Sequence, residues 1–252
     1  MTDPTLRVAT WNILGRRNAL TCEPADSGAV CSVVLKNQPD VLCLQEVHFY
    51  DGQVDDQLLD ELRAAGLRHF RWLPLSPSHL DSSALLGLGI ASALPLCGDF
   101  SFRLTNPGLR ISKNGQEWVL HDKGVMGCTV ALPSGPDIEV HCLHLFPFHE
   151  FRVASGDRCV SQMWQEFWSY ADNLARRRNV ILAGDFNQLE RRDAARQWSS
   201  KGWEFCFSNQ VTTSRGLSLD DVVLSESSWE TSADLMPTFS DHFIGAVSVR
   251  PK

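Results

Sequence analysis

With 252 residues, 43% of them hydrophobic, and a formal charge of −7, the chain can bury a sizeable core and has an ordinary globular composition. The acidic balance argues against a general polyanion binder, although a local cationic groove or a bound metal ion is compatible with it. The start, MTDPTLRVATWN, lacks a basic segment followed by an apolar run, and no apolar stretch has the length of a bilayer span. A cytoplasmic protein with no membrane contact is therefore expected. The eight cysteines form no CxxC pair, and Cys43, Cys128 and Cys142 lie inside apolar runs. They read as reduced thiols rather than as a disulfide framework.

Short apolar runs recur, each followed closely by polar residues. Leu6 to Trp11 reads as a strand, and Gly28 to Lys36 as a helix with Asp26 or Ser27 as N-cap. Asp40 to Gln45 is a second strand entered through Pro39, and Asp55 to Ala65 an amphipathic helix stopped by Gly66. Strands follow at Gly87 to Leu94, Val125 to Leu132 and Ile138 to Leu145, the last two joined through the turn residues 134 to 136 and expected to pair. Arg158 to Arg178 is the longest helical candidate. Asn179 to Ala183, Leu219 to Leu224 and Phe243 to Val249 complete the strands, and neither repeats nor low-complexity tracts interrupt them. Strands mixed with helices, with hairpins between, give an α/β class in a single domain over residues 1–252.

The chemistry-bearing residues gather at one kind of place. Asn12 ends the first strand and Glu46 the second; His144 lies near the end of the Ile138 strand; Asp185 and Asn187 follow the Val180 strand in GDFN; Asp220 begins a strand, and Asp241 and His242 precede the last one. Strand ends of α/β proteins converge on one rim, where sites form. Glu46, Asn12 and Asp241 offer the hard oxygen ligands that Mg²⁺ prefers. Asp185 can hold a water, the Asn187 amide can donate to a phosphoryl oxygen, and His242 can contact phosphate or move a proton when a buried carboxylate fixes its tautomer. That set suits hydrolysis of a phosphate ester.

The segments ATWN (9–12), LQEV (44–47), LHL (143–145), GDFN (184–187), SLDDVVL (218–224) and SDHF (240–243), in this order, resemble the endonuclease/exonuclease/phosphatase superfamily. The resemblance implies a four-layered α/β sandwich, two packed mixed sheets flanked by helices. It implies Glu46 as principal metal ligand with Asn12 beside it and Asp241 near the metal. Asp185 would align the water, Asn187 steady the transition state, and Asp220 orient His242. His144 would be an acid or phosphate contact, and Lys123 falls in a segment similar to the family's "KG". The cofactor implied is Mg²⁺, with Mn²⁺ as a substitute. Two departures stand out: Asp221 replaces a usual aromatic or histidine, either perturbing the Asp220–His242 pair or pointing away, and Cys142-Leu143 replace the usual residues before His144.

The substrate stays open between a phosphodiester in nucleic acid or a nucleotide-like ester and a small phosphorylated metabolite. A catalytically dead scaffold is disfavoured because each residue of the set is present. No obligate protein partner is evident. In LFPFHEFR (145–152) the aromatics either stack on a base or pack beneath a loop, and His149 and Arg152 become substrate contacts if that loop covers the site. A zinc site from His141, Cys142, His144 and His149 is opposed by strand geometry, which points His141 and Cys142 to opposite faces. Arg176, Arg177 and Arg178 suit a helix C-terminus, and Arg191, Arg192 and Arg196 a solvated face or a phosphate contact.

Overall fold

The computed structural model describes residues 5–113, 115–154, 156–189, 198–225 and 229–251. In chain order the strands are β1 (Leu6–Asn12), β2 (Val41–Tyr50), β3 (Gln53–Val54), β4 (His69–Pro77), β5 (Leu85–Ser92), β6 (Leu96–Arg103), β7 (Arg110–Lys113), β8 (Gln116–Val119), β9 (Gly124–Val130), β10 (Ile138–His144), β11 (Val180–Asp185), β12 (Trp203–Phe205), β13 (Asp220–Ser225), β14 (Trp229–Met236) and β15 (Ile244–Pro251). The α-helices are α1 (Ala29–Asn37), α2 (Asp56–Ala64) and α3 (Ser161–Ala175). One sheet runs β14-β15-β1-β2-β5-β4, with β3 on β2; the other runs β12-β13-β11-β10-β9-β6; β7 and β8 form a separate hairpin. Each large sheet holds one parallel pair, β1 with β2 and β10 with β11, among antiparallel neighbours.

Strand periodicity sorts the apolar residues into three layers. Leu6, Val8, Val41 and Cys43 of the first sheet meet Val140, Cys142, Ile181 and Ala183 of the second. The alternate residues face outward: Ala9, Trp11, Leu42 and Leu44 pack under Val30, Val34, Leu58 and Leu62 of α1 and α2. Leu143, Val180, Leu182 and Val223 pack under Met163, Phe167 and Ala171 of α3. The result is the expected four-layered α/β sandwich, with two mixed sheets inside and helices outside. Each fully buried side chain of this size contributes roughly 1.5–3 kcal/mol.

Several local features differ from the sequence reading. Of the strands it did not foresee, β4, β6, β12 and β14 are the four edges of the two sheets, β3 is a two-residue strand on β2, and β7 and β8 form the separate hairpin. Edge strands are half exposed and tolerate proline and glycine, so their patterns are weak; β4 carries Pro74 and Pro77, and β6 carries Gly98. Neither Asp26 nor Ser27 caps α1: Gly28 sits there, and Glu61 of α2 accepts from the N–H groups of Val30 (2.8 Å) and Cys31 (3.1 Å). Glu61 also meets Arg16 (3.0 Å), which reaches Asp55 at 2.9 Å. Asp55, which the sequence places inside the helix, is instead the N-cap of α2, accepting from Gln57 N and Leu58 N. Phe146 and Phe148 are buried in the layer beneath α3, so the LFPFHEFR aromatics are core rather than a base platform. His141 and Cys142 face opposite sides, and all eight cysteines are free thiols. Arg176 stands at the C-cap of α3, and Arg177 pairs with Glu139 at 2.9 Å. Arg191, Arg192 and Arg196 lie outside the described residues.

Because Glu61 closes both the α1 N-terminus and a buried ion pair, Glu61→Ala should destabilise the fold by about 2–4 kcal/mol in urea unfolding. A loss under ~0.5 kcal/mol would show that this network carries no weight.

Candidate active site

The inward-facing residues of the central strands turn polar at one end. Along β11, Ile181 and Ala183 face the other sheet, so Asp185 does too; along β13, Val222 and Leu224 do, so Asp220 does. Val140 and Cys142 set the same phase for His144, as Leu6 and Val8 do for Asn12. Strand register completes the arrangement: His144 pairs with Asp185, and Asp185 with Asp220, across three neighbouring strands. Asp221 has the opposite phase. Its Oδ1 accepts from the N–H groups of Cys206 (3.0 Å) and Phe207 (2.9 Å), so it points away from His242 and fixes the entry to β13.

Glu46 reaches the same rim by a β-bulge. The sequence reading ended the strand here, but β2 continues to Tyr50, and the register on β5 shifts between Gln45 and Val47. Simple alternation would aim Glu46 at the helix-facing layer, after Leu44. The extra residue instead keeps Val47 and Phe49 in that layer and leaves Glu46 unpaired, at φ +56°. A left-handed non-glycine residue costs about 1–3 kcal/mol, so the surroundings must hold it there.

Loops deliver the remaining groups. Ser240 Oγ lies 2.8 Å from the carbonyl of Asn12, tying the segment that carries Asp241 and His242 to the end of β1. Thr213 bridges His242, and Ser214 N donates to Asp241 O at 2.8 Å. That pairing brings Arg215 to Asp241, with Nη2 3.3 Å from Oδ2. Asn187, at φ +51°, donates its amide to Leu145 O (3.0 Å) while its backbone N–H donates to Asp185 Oδ1 (2.9 Å).

At the centre, His242 Nδ1 lies 2.8 and 3.0 Å from the two oxygens of Asp220, and its Nε2 lies 3.9 Å from Asp185 Oδ2. The same Asp185 oxygen accepts from Asn12 Nδ2 at 3.2 Å and lies 3.4 Å from His144 Nε2. Lys123 Nζ stands 3.0 and 3.2 Å from the two ring nitrogens of His144. Burial works against a charged His242, but the charge of Asp220 and its hydrogen bond, with Asp185 and Asp241 beyond, push the imidazole up to about 10. Burial and the Asp220 charge raise the Asp185 carboxyl, against the pull of His242, Lys123 and Asn12. Burial opposes ionisation of Glu46 as well, but Lys123, His79, His242 and Asn12 together hold it below the usual carboxylate range. Burial, then the charges of Lys123, His242 and His79, force His144 well below the ordinary imidazole value, so it is neutral.

Two groupings could take a cation. Asp185, Asp220 and His242 bring ligand atoms within 4.8 Å of one another. There, however, both Asp220 oxygens already face His242 Nδ1, and Asp185 already meets Asn12, His144 and Asn187. Glu46 Oε2 and Asp241 Oδ1 are different: both are buried, and neither has a hydrogen-bond partner among the described residues. A buried carboxylate oxygen without a partner is costly, and a divalent cation is the group that relieves it. Each of these two carboxylates therefore has an oxygen fit for a metal ion, and Asn12, which hydrogen-bonds Glu46 and whose Oδ1 accepts from Leu14 N at 3.1 Å, stands beside the first.

The sequence profile of the Endonuclease/Exonuclease/phosphatase family matches residues 9–242. The chain belongs to this family. Family members are metal-dependent hydrolases of phosphoester bonds, and this chain is accordingly an enzyme of that class. The fold is similar to an endonuclease/exonuclease/phosphatase from Beutenbergia cavernae, with TM-score 0.76 at 19% identity over 98% of this chain and 72% of that one. It is similar to the human Nocturnin catalytic domain with bound sulfate, with TM-score 0.68 at 22% identity over 99% and 94%. It is also similar to TDP2 from Caenorhabditis elegans, with TM-score 0.61 at 15% identity over 98% and 74%. No curated protein matches the sequence. No described helix is long and apolar enough to cross a membrane.

The structure thus gathers Asn12, Glu46, Lys123, His144, Asp185, Asn187, Asp220, Asp241 and His242. His149 is half-buried near Asn187 and Arg215. Arg152 is exposed and caps the turn Phe148–Phe151 with its backbone; among the described residues it pairs with no carboxylate of the site, and Arg215 is the guanidinium that does. His79, His121 and Arg215 were not singled out from sequence, since each stands alone in a loop without a recognisable spacing.

Without metal, the His242 contribution to stability is fully present below the unfolded value near 6.5 and is lost as pH rises through about 10. The raised Asp185 carboxyl acts in the same direction, since the folded state holds its proton longer than the unfolded chain does. Metal-free protein should therefore lose melting temperature from pH 6.5 to 9.5, and Mg²⁺ should restore more of it at the alkaline end. A flat profile, or a larger Mg²⁺ effect at pH 6.5, would contradict this electrostatic picture.

Proposed function

We propose that the chain, as one catalytic domain over residues 1–252, is a Mg²⁺-dependent phosphodiesterase acting on nucleic acid or a nucleotide-like ester. The observation that carries this reading is the pair of partnerless oxygens, Glu46 Oε2 and Asp241 Oδ1, beside the Asp220–His242–Asp185 chain. Glu46, Asp241 and Asn12 would hold the ion, which supplies positive charge for the phosphoryl oxygens. Asp185 orients the attacking water and takes its proton as the water oxygen bonds to phosphorus; the opposite P–O ester bond breaks, and the leaving oxygen departs with the bonding pair and takes a proton from solvent. The raised proton affinity of Asp185 suits that work near neutral pH. Asp220 holds His242 in one orientation, and the cationic ring donates from Nε2 to a non-bridging oxygen as negative charge grows there. Asn187 has one amide N–H fixed on Leu145, which orients the other for a phosphoryl oxygen. His144 is neutral, so with Lys123 it contributes hydrogen bonds and charge rather than a proton. His149 sits at the margin as a substrate contact, and Arg215 replaces Arg152 in that role.

In a screen with bis-p-nitrophenyl phosphate, single- and double-stranded DNA, RNA and nucleotides, turnover should need Mg²⁺ or Mn²⁺ and stop with EDTA. Glu46→Gln should lower kcat by about 10³-fold or more while the protein stays folded. His242→Ala should cost about 10²–10⁴-fold, mainly in kcat. Undiminished turnover in metal-free buffer, or a folded Glu46→Gln protein with normal activity, would refute the assignment. Release of inorganic phosphate from a metabolite with no diester cleavage would move the substrate to the phosphomonoester class.

A further inference from the structure

Beside the proposed metal site, two imidazoles have no part in the chemistry above. His79 comes from the loop joining β4 to β5 in the first sheet, and His121 from the segment leading into β9 of the second. Their rings stack across the gap between the sheets, centroids 5.3 Å apart and planes 30° from parallel. With Glu46, Lys123 and His144 they line one solvent-open hollow of about 270 Å³ of empty space.

The loop that presents His79 is built rather than slack. Ser78 Oγ accepts from the N–H groups of Leu80 (3.0 Å) and Asp81 (3.1 Å) and lies 2.9 Å from Nε2 of the buried His48. Asp81 in turn receives the Tyr50 hydroxyl at 3.3 Å and lies 3.8 Å from Arg17. His48 fits only because Gly15 faces it, where a Cβ would fall 2.4 Å from the ring. Opposite, Asp122 stands between His121 and Lys123 in sequence, yet its oxygens are engaged by Asn106 (2.9 Å) and Arg103 (3.4 Å). The imidazoles thus stand beside both the Lys123 ammonium and the Glu46 carboxylate. Burial, then the charges of His79 and Lys123, hold His121 below the ordinary imidazole range against the opposite pull of Glu46 and Asp122.

Geometry selects the kind of ligand. Stacking uses ring faces on each other and leaves ring edges, with their N–H groups, to meet a ligand. Edges recognise oxygens, whereas faces recognise bases. We propose that His79 and His121 form a subsite for a second, non-scissile phosphate of the same nucleotide substrate, next to the phosphate that is cut. This assignment of substrate class rests on the hydrolytic reading of the neighbouring site.

The test compares thymidine 5′-(p-nitrophenyl phosphate) with its 3′-phosphorylated counterpart, using the full chain with Mg²⁺. Wild type should favour the 3′-phosphorylated ester by about ten-fold or more in kcat/KM, and the preference should fall to near unity in His79→Gln/His121→Gln. No preference in wild type, or a preference kept by the double variant, would overturn the subsite. Calorimetric binding of thymidine 3′,5′-bisphosphate against thymidine 5′-monophosphate asks the same question without turnover. If neither ester is cleaved, the phosphodiesterase reading fails, and a bisphosphate preference lost in the double variant still supports the subsite, while equal affinities reject it. Should the double variant not fold, the exposed single change His79→Gln decides, a preference cut by about three-fold or more supporting the proposal and an unchanged one rejecting it.

Discussion

Asp185 and Asp220 repel each other where the apolar layer between two sheets ends, with Glu46 buried on the same rim, and this concentration of negative charge has to be met by positive charge. Asp220 and Asp185 are shielded by His242, whose ring stands between them, and Lys123 supports both Asp185 and Glu46. This compensation stops short of Glu46 Oε2 and Asp241 Oδ1, which stay buried without partners. The site thus carries positive charge at His242 and Lys123 but leaves these two oxygens uncompensated, and a cation is the group that would relieve them.

The backbone makes that concentration of charge feasible. Period-two alternation fills the space between the sheets with Val, Ile, Leu, Cys and Ala, then sends the same inward phase out as Asn12, His144, Asp185 and Asp220 at one rim. Parallel pairing of β10 with β11 is what puts His144 and Asp185 level with each other. Glu46 could not join them on a regular strand, and the bulge in β2 corrects its direction while leaving Val47 and Phe49 in the outer core. Among the residues of the site core, Glu46 and Asn187 stand at positive φ, where side-chain direction overrides backbone preference.

Much of this was legible in the sequence. Apolar runs ending in Asn, Asp, Glu or His announced both the central strands and the rim, because buried strands and strand-end polar groups leave local signatures. Sheet edges did not, since β4 and β6 carry proline or glycine, β12 has three residues and the described side chains of β14 are largely exposed. The bulge was hidden because Gln-Glu-Val after an apolar run looks like a strand end. Glu61 serving as the α1 cap was also unreadable, because the two residues meet across 31 positions of chain. His79 and His121 come from different sheets, and a lone loop histidine carries no pattern; only the closed sandwich places one over the other. Asp221 was ambiguous until the phase of β13 turned it toward Cys206 and Phe207.

Where the divalent ion sits is the most direct measure of how this charge balance works. Mn²⁺ soaked into crystals of the protein can be located by anomalous diffraction. The expected peak is one ion bound by Glu46 Oε2 and Asp241 Oδ1, with Asp220 still hydrogen-bonded to His242. An ion lodged between Asp185 and Asp220 with His242 as its third ligand, or no ion at Glu46, would contradict it.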